Sequence, residues 1–565
     1  MLAGKLLLLL GWHLTLTGLP PVAATFLAAR SGVRSIPILL AIALAASGVV
    51  AMLAFWAYYA DPFAGEVFAY LSVLGSAALT AWCLYDRRPE GRLLRELATP
   101  LALWMAGTAF LVFLGFLHGG VDSPLATGAT RFLGPLPTDN DIPLYFSDWF
   151  FHFGHSGTPP EFPGEWLSSD RPPLQTGYVL SQRIFGWDET GLHYQVLGVA
   201  LQQLWIVGLW ALLAAARVSR TTRALTVITV LVSSLAILNG FFVWPKMLPA
   251  AMLLPAAALL LTPLWTELRH RVWVGALVAA LFGLAMLGHG SSVFGILPLA
   301  VIAALRGLPD WRWVGIAVAT GLLLLVPWSA YQRYEDPPGN RLLKWQIAGV
   351  EQVDNRGFGE ALADSYREVG IGGTVRNKLD NLAAIIGDGA FADSVDEVVD
   401  AVGEGDAETA VRSLRTIFFF YLVPSLCLLL LGPLAMLAVM RHRGDFDPAE
   451  WSFAVTCFAA LAVGALAWGL ILFGPPAAEP SIHVGSYLLP ILGLCGAAVG
   501  LRAVVPRFAV YFLVFNAALM LALYIPSFEA PAGSRYSALA ALLAAAGLAA
   551  FVTIAFRPGL SRGIE

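Results

Sequence analysis

Charge is scarce in this sequence. Asp, Glu, Lys and Arg make up 13% of its 565 residues, about half of the roughly 25% usual in a soluble globular chain. That is too little polar surface to dress a water-soluble protein of this length. Basic tracts are missing too, and a net charge of -4 offers nothing to track a nucleic-acid backbone. Cysteine is confined to Cys83, Cys427, Cys457 and Cys495. All four sit in apolar runs without CxxC spacing, which argues against a disulfide framework and a cysteine zinc site. Walker loops, GxSxG and HExxH are absent from any supporting context, so ATP hydrolysis and ordinary hydrolase chemistry have no support. There is no internal repeat, and no inverted pair of Gly/Pro-broken helices of the kind a transporter would carry.

What is abundant is apolar sequence: 58% of residues are hydrophobic and the mean hydropathy is +0.72. Runs of about 20 such residues are long enough to cross a bilayer. They predict spans near 4–29, 35–59, 66–85, 98–118, 194–216, 222–243, 247–264, 272–288, 291–305, 313–330, 416–440, 451–473, 484–501, 507–525 and 536–556. The start, Lys5 followed by leucines, has the look of a signal peptide. The run continues through Pro20 and Pro21 to about Ala29 with no clean cleavage site, so it reads as a membrane helix. The fold expected is an all-α polytopic membrane protein of about 13–15 transmembrane helices. An amphipathic helix and a small helical subdomain are expected on its outer face. Four regions follow: N-terminal accessory helices (1–97), a membrane core (98–331) containing the loop 119–193, a polar helical segment (332–415) and C-terminal helices (416–565).

The loops sort by charge. Arg30 and Arg34, then Arg87, Arg88, Arg92 and Arg95, occupy the first Arg-rich connections. Arg217, Arg220 and Arg223, then Arg269 and Arg271, Arg306 and Arg312, Arg441 and Arg443, Arg502 and Arg507, and Arg557 and Arg562 continue the series. The alternate connections are poor in short-loop positives: 61–66, 119–193, 240–246, 289–290, 331–415, 474–483 and 527–535. Because Lys and Arg favour the cytoplasmic side of short loops, the second set faces outward. Lys5 alone runs against this assignment, which puts the N-terminus outside.

Chemistry-bearing residues gather in the outward set. Asp139-Asn140-Asp141 either caps the next helix through an Asx turn or supplies a carboxylate that takes a proton or holds a divalent cation. Asp141, Tyr145, Asp148, His152 and His155 step by four, three, four and three, which predicts one polar face of an interfacial helix with its aromatics turned into the membrane. Asp148, His152 and His155 are either that solvated face or metal ligands. Arg171, in Asp170-Arg171-Pro172-Pro173, either grips a phosphate in the extended geometry prolines impose or pairs with Asp170. Lys246 and His289 each stand at an outer helix boundary, as snorkelling or turn residues or as phosphate ligands. His483 opens a late span. Arg341 and Lys344 begin the polar segment and are further phosphate candidates.

Many spans, an acidic triplet in a long outer loop, an amphipathic helix behind it and a later outer segment resemble the GT-C class of integral membrane glycosyltransferases. The likeness covers roughly 98–415 as architecture. It implies a polyprenyl-phosphate-linked sugar donor and a glycan, lipid or protein acceptor. It also implies a carboxylate base, Asp139 or Asp141; a divalent cation is possible but not required by the sequence. The charge alternation puts the site outside the cytoplasm, and Ala-, Leu- and Gly-rich spans suit a bacterial plasma membrane. Asp139 is the preferred base, since Asp141 also fits the polar face of the following helix. One departure stands: in that class the acidic loop usually follows the first span, whereas here three spans precede the one, starting near Ala98, that leads into the loop. The alternatives are a transporter or flippase of lipid-linked glycans, for which charged residues within the spans are almost lacking, and an outer-face polysaccharide polymerase or ligase relying on Arg and His.

Overall fold

The computed structural model describes residues 2–86, 91–134, 136–156, 167–187, 189–335, 337–430, 447–475, 487–527 and 536–557. It is 82% helix, with no strand among those residues. Nine described helices are long and apolar enough to cross a membrane, and Arg220–Leu231 with Ser234–Phe242 forms a further span bent by 54°. Met247–Leu260, Val272–Gly288, Gly290–Leu305 and Leu488–Val504 are apolar but shorter. The chain is therefore a helical polytopic membrane protein. In hydrocarbon a helix satisfies its own backbone, which is why long apolar runs take this form.

Most expected runs coincide with a helix or helix pair. The 222–243 run bends where Ser233 caps a new start, its side chain accepting from the Ala236 N–H. The 416–440 run departs most. There the helix Ala407–Phe420 stops, Tyr421 is extended, and a 3-10 turn follows over Pro424–Leu430. Pro424 lacks an N–H and disfavours helical geometry in the residue before it. Residues 431–440 lie outside the described ones.

Packing separates centre from rim. Thr190–Ala215 is buried throughout its apolar window, whereas Pro62–Tyr85 and Trp311–Tyr334 are largely uncovered, as helices bathed in lipid are.

Several contacts join parts of the chain that the charge alternation assigns to one side. Within the Arg-poor set, Lys5 pairs with Glu189, and His155 Nδ1 meets the carbonyls of Tyr59 and Ala60, each at 3.1 Å. The Ser537 N–H donates to Leu117 O at 2.9 Å, and the Phe473 N–H donates to Gln346 O at 2.9 Å. Within the Arg-rich set, the Ser219 N–H donates to Glu450 Oε1 at 2.8 Å, and Arg306 donates to Thr456 at 2.6 Å. Arg30 stacks 4.0 Å over Trp82. Each of these contacts joins connections, or helix residues near them, that the charge alternation assigns to the same side.

The polar segment is helical: Arg341–Ala348, Phe358–Ile386, Gly389–Glu404 and Ala407–Phe420. Gly370, at φ 62°, kinks the second helix. Residues 389–420 form two helices. Gly405, at φ 75°, ends the first, and Asp406 caps the second through the N–H groups of Glu408 and Thr409. Asn381 donates to the carbonyls of Gly469 and Leu472, docking this segment on the end of Pro448–Ile471.

Candidate active site

The three adjacent residues of the acidic triplet meet three different surroundings. Thr138–Asn140 make one 3-10 turn and Asp141 stands at the N-cap of Ile142–Phe153. Asp139 is buried, and Arg171 Nη2 donates to its Oδ2 at 2.8 Å. Asn140 Nδ2 donates to Leu125 O at 3.1 Å. Asp141 makes no capping bond with its side chain. Among the described residues nothing hydrogen-bonds to its carboxylate, and burial pushes its pKa up to about 6. A half-buried carboxyl without donors prefers its proton, because desolvation penalises the charged form.

Arg171 leaves the turn Ser168–Asp170 in an extended conformation, as Pro172 and Pro173 dictate. Asp170, itself buried, accepts from the Leu167 N–H at 3.0 Å and from Arg341 Nη1 at 3.4 Å. The sequence leaves open whether Arg171 pairs with Asp170; the structure sets its Nη2 on Asp139. Ser168 shares a 2.6 Å hydrogen bond with the Tyr331 hydroxyl, and Tyr331 stacks on Trp328 with ring centroids 4.9 Å apart. Arg171 lines a narrow pocket together with Phe55, Phe146, Phe150, Trp328 and Tyr331.

Lys246 comes from the other side of the site. Val243 adopts the left-handed conformation at φ 55°. This is unusual for a β-branched residue and turns the chain sharply between the helices ending at Phe242 and starting at Met247. Close approach fixes the turn: a Cβ on Gly198 would fall 2.7 Å from Val243. Lys246 is thereby buried, with Nζ 4.1 Å from the Trp244 ring centroid and 2.5 Å from His289 Nε2. Burial drives the lysine well below its usual range; Arg171 reinforces this and Asp139 opposes it. Lys246 thus shares one electrostatic site with the Asp139–Arg171 pair. His289 is held in turn by Ser291, whose N–H donates to Nδ1 at 3.1 Å and whose Oγ lies 2.8 Å from the same nitrogen.

A buried amide chain ties these pieces together. Tyr194 donates to Asn140 O at 2.7 Å, and Gln175 Nε2 donates to the Tyr194 hydroxyl at 2.8 Å and to Val243 O at 3.0 Å. Gln202 donates to Gln175 Oε1 at 2.9 Å. The Gln202 Oε1 accepts the N–H groups of Met247 and Leu248, at 3.0 and 3.1 Å. From the acidic triplet to the residue after Lys246, the polar groups are joined through one continuous relay. Sequence reasoning missed it by attending to charge; amides in apolar runs, Gln195, Gln202 and Gln203 among them, were the available signal.

Other candidates are placed elsewhere. The helix Ile142–Phe153 ends before His155: Gly154 turns at φ 58°, and a Cβ there would meet Tyr58 O at 3.0 Å. His155 therefore leaves the predicted polar face. Its aromatics Phe146, Trp149 and Phe150 are buried within the protein, Phe150 packing against Phe55 and Tyr331. Tyr145 is half-buried, edge-on to Phe146 at 5.7 Å. Asp148 pairs with Arg183 and lies 3.9 Å from His152. No group of three or more His, Cys, Asp or Glu among the described residues is arranged to hold a metal ion, so Asp148, His152 and His155 do not form the trio their spacing suggested. Lys344 is buried, and its ammonium is taken by the carbonyls of Asp354 and Arg356; it closes a loop of its own segment. His483 lies outside the described residues.

Comparison of the chain with protein-family models, with curated proteins and with solved structures gives no match.

Proposed function

We propose that this protein is a membrane glycosyltransferase, moving a sugar from a polyprenyl-phosphate donor to an acceptor hydroxyl. The Arg-poor face is then the extracytoplasmic one of a bacterial plasma membrane. One observation carries the reading. Asp141, a half-buried carboxylate with no hydrogen bond from the described residues, stands two residues from Asp139, whose partner Arg171 shares one electrostatic site with buried Lys246. A base and a phosphate-stabilising group are the two things an inverting transfer from a lipid phosphate needs.

Asp141 takes the proton from the acceptor hydroxyl. The acceptor oxygen attacks the anomeric carbon from the face opposite the phosphate, and the carbon–phosphate oxygen bond breaks. Arg171, Lys246 and His289 receive the leaving phosphate. Asp139, committed to Arg171, positions that guanidinium, which reverses the preference between the two acids. Arg341 acts one step further out, holding Asp170.

The test is transfer from a panel of prenyl-phosphate sugars by the purified chain in lipid vesicles. Asp141→Asn is expected to lower the rate by at least about a hundredfold, the usual contribution of a general base. Wild-type turnover in that variant would remove Asp141 from the mechanism.

A further inference from the structure

The hydrogen-bond pattern around His289 constrains which protons Lys246 can carry. The Ser291 backbone N–H is obligatorily a donor, and it points at His289 Nδ1 at 3.1 Å. Nδ1 is therefore the acceptor nitrogen, and the imidazole hydrogen sits on Nε2. Nε2 is also the atom 2.5 Å from Lys246 Nζ. An ammonium has no lone pair, so two N–H donors would face each other there. The contact is satisfied when Nζ is a neutral amine accepting from Nε2–H.

We infer that Lys246 and His289 form a proton-linked phosphate site, in which the lysine is a neutral amine until a phosphate anion arrives and takes up one solvent proton as the anion binds. The inference rests on the proposed transferase reading, since it concerns the group that receives the leaving phosphate. The balance is simple: the amine lone pair gains a proton from water, no other bond changes, and the new ammonium donates to a phosphate oxygen. The groups facing Nζ are consistent with it. Arg171 repels a second cation, Asp139 is already paired with Arg171, His289 offers a donor, and Trp244 presents its ring. Among the described residues no carboxylate forms an ion pair with Lys246 to hold it charged. A neutral amine also spares the empty site a buried, uncompensated charge, which low-dielectric surroundings penalise heavily.

The experiment is calorimetric titration of the purified full-length protein in detergent at pH 8, in two buffers of different ionisation enthalpy. Geranyl phosphate and inorganic phosphate serve as separate probes. Wild type is expected to take up about one proton per anion bound, beyond any uptake by the phosphate itself. Binding of both probes would mean that the phosphate group suffices; binding of geranyl phosphate alone would assign the site to a lipid phosphate. Lys246→Met should lose the uptake and bind about tenfold to a hundredfold more weakly, as the loss of a charge-assisted hydrogen bond does. His289→Gln places a carbonyl acceptor opposite Nζ, allowing a permanent ammonium, and should bind the anion without the uptake. Wild-type binding with the same proton count as Lys246→Met overturns the proton link and leaves the transferase reading intact. Failure of wild type to bind either probe overturns the phosphate site. Retained sugar transfer in Asp141→Asn, measured separately, sinks the transferase mechanism whatever the proton count.

Discussion

Arg171 donates to Asp139 across 2.8 Å, and both side chains are almost wholly removed from solvent. The pair bridges two segments far apart in sequence, the acidic triplet and the proline-rich run. In a buried pair, taking away one partner strands the other's charge. Asp139→Asn should therefore destabilise the protein by about 3–5 kcal/mol. The double variant Asp139→Asn with Arg171→Met should be less destabilised than the single one. Thermal unfolding in detergent measures both; equal losses would mean that the pair does not carry the local structure.

Asp141 predicts the pH dependence. Its carboxyl is raised from the usual 3.8 to about 6 by burial, and only the carboxylate can accept a proton. Transfer should rise with pH, reach half its plateau near pH 6 and stay flat above. The stability effect has the opposite sign. A folded-state pKa above the unfolded one favours the fold at low pH, and that contribution is lost as pH rises from about 4 through 6. Asp141→Asn should accordingly be more resistant to heat than wild type at pH 8, with the advantage shrinking toward pH 4. A rate profile with no inflection between pH 5 and 7 would count against Asp141 as the base.

The amide relay makes a separate claim. Gln202 Oε1 accepts the first two N–H groups of the helix beginning at Met247, donors a helix start cannot satisfy internally. Gln202→Leu leaves them buried and unpaired, at about 1–3 kcal/mol each. Lower thermal stability and faster amide exchange at Met247 and Leu248 are expected, with sugar transfer reduced because Lys246 precedes that helix. Unchanged exchange at both amides would show that Gln202 does not hold this turn.

Sidedness is open to labelling. Asp380 is exposed in the polar segment. With the four native cysteines replaced, Asp380→Cys should react with an impermeant maleimide added outside intact cells, while a cysteine in place of exposed Arg271 on the opposite face should not. Reversed reactivity would invert the orientation and put the site on the cytoplasmic side.

Much of the architecture is written locally. Runs of about 20 apolar residues determine helices because a bilayer leaves backbone polar groups no other partner. The alternation of Arg-rich and Arg-poor connections determines which loops share a face, and contacts such as His155 with Tyr59 and Ser219 with Glu450 follow it. The same alternation brings Asp139, Arg171, Lys246 and His289 to one side before any packing is considered. Tertiary structure decided what each residue does there. Asp139 and Asp141 are chemically identical in the sequence, yet only the fold sets Arg171 against one and leaves the other half-buried without a donor among the described residues. Lys344 and Lys246 each look like a cation at a boundary, yet one closes its own loop and the other faces His289. Periodicity carried the polar face of Ile142–Phe153 through to His155, but Gly154 breaks it at a point set by contact with Tyr58. Burial and partnership depend on residues far away in the chain, and local spacing cannot encode them.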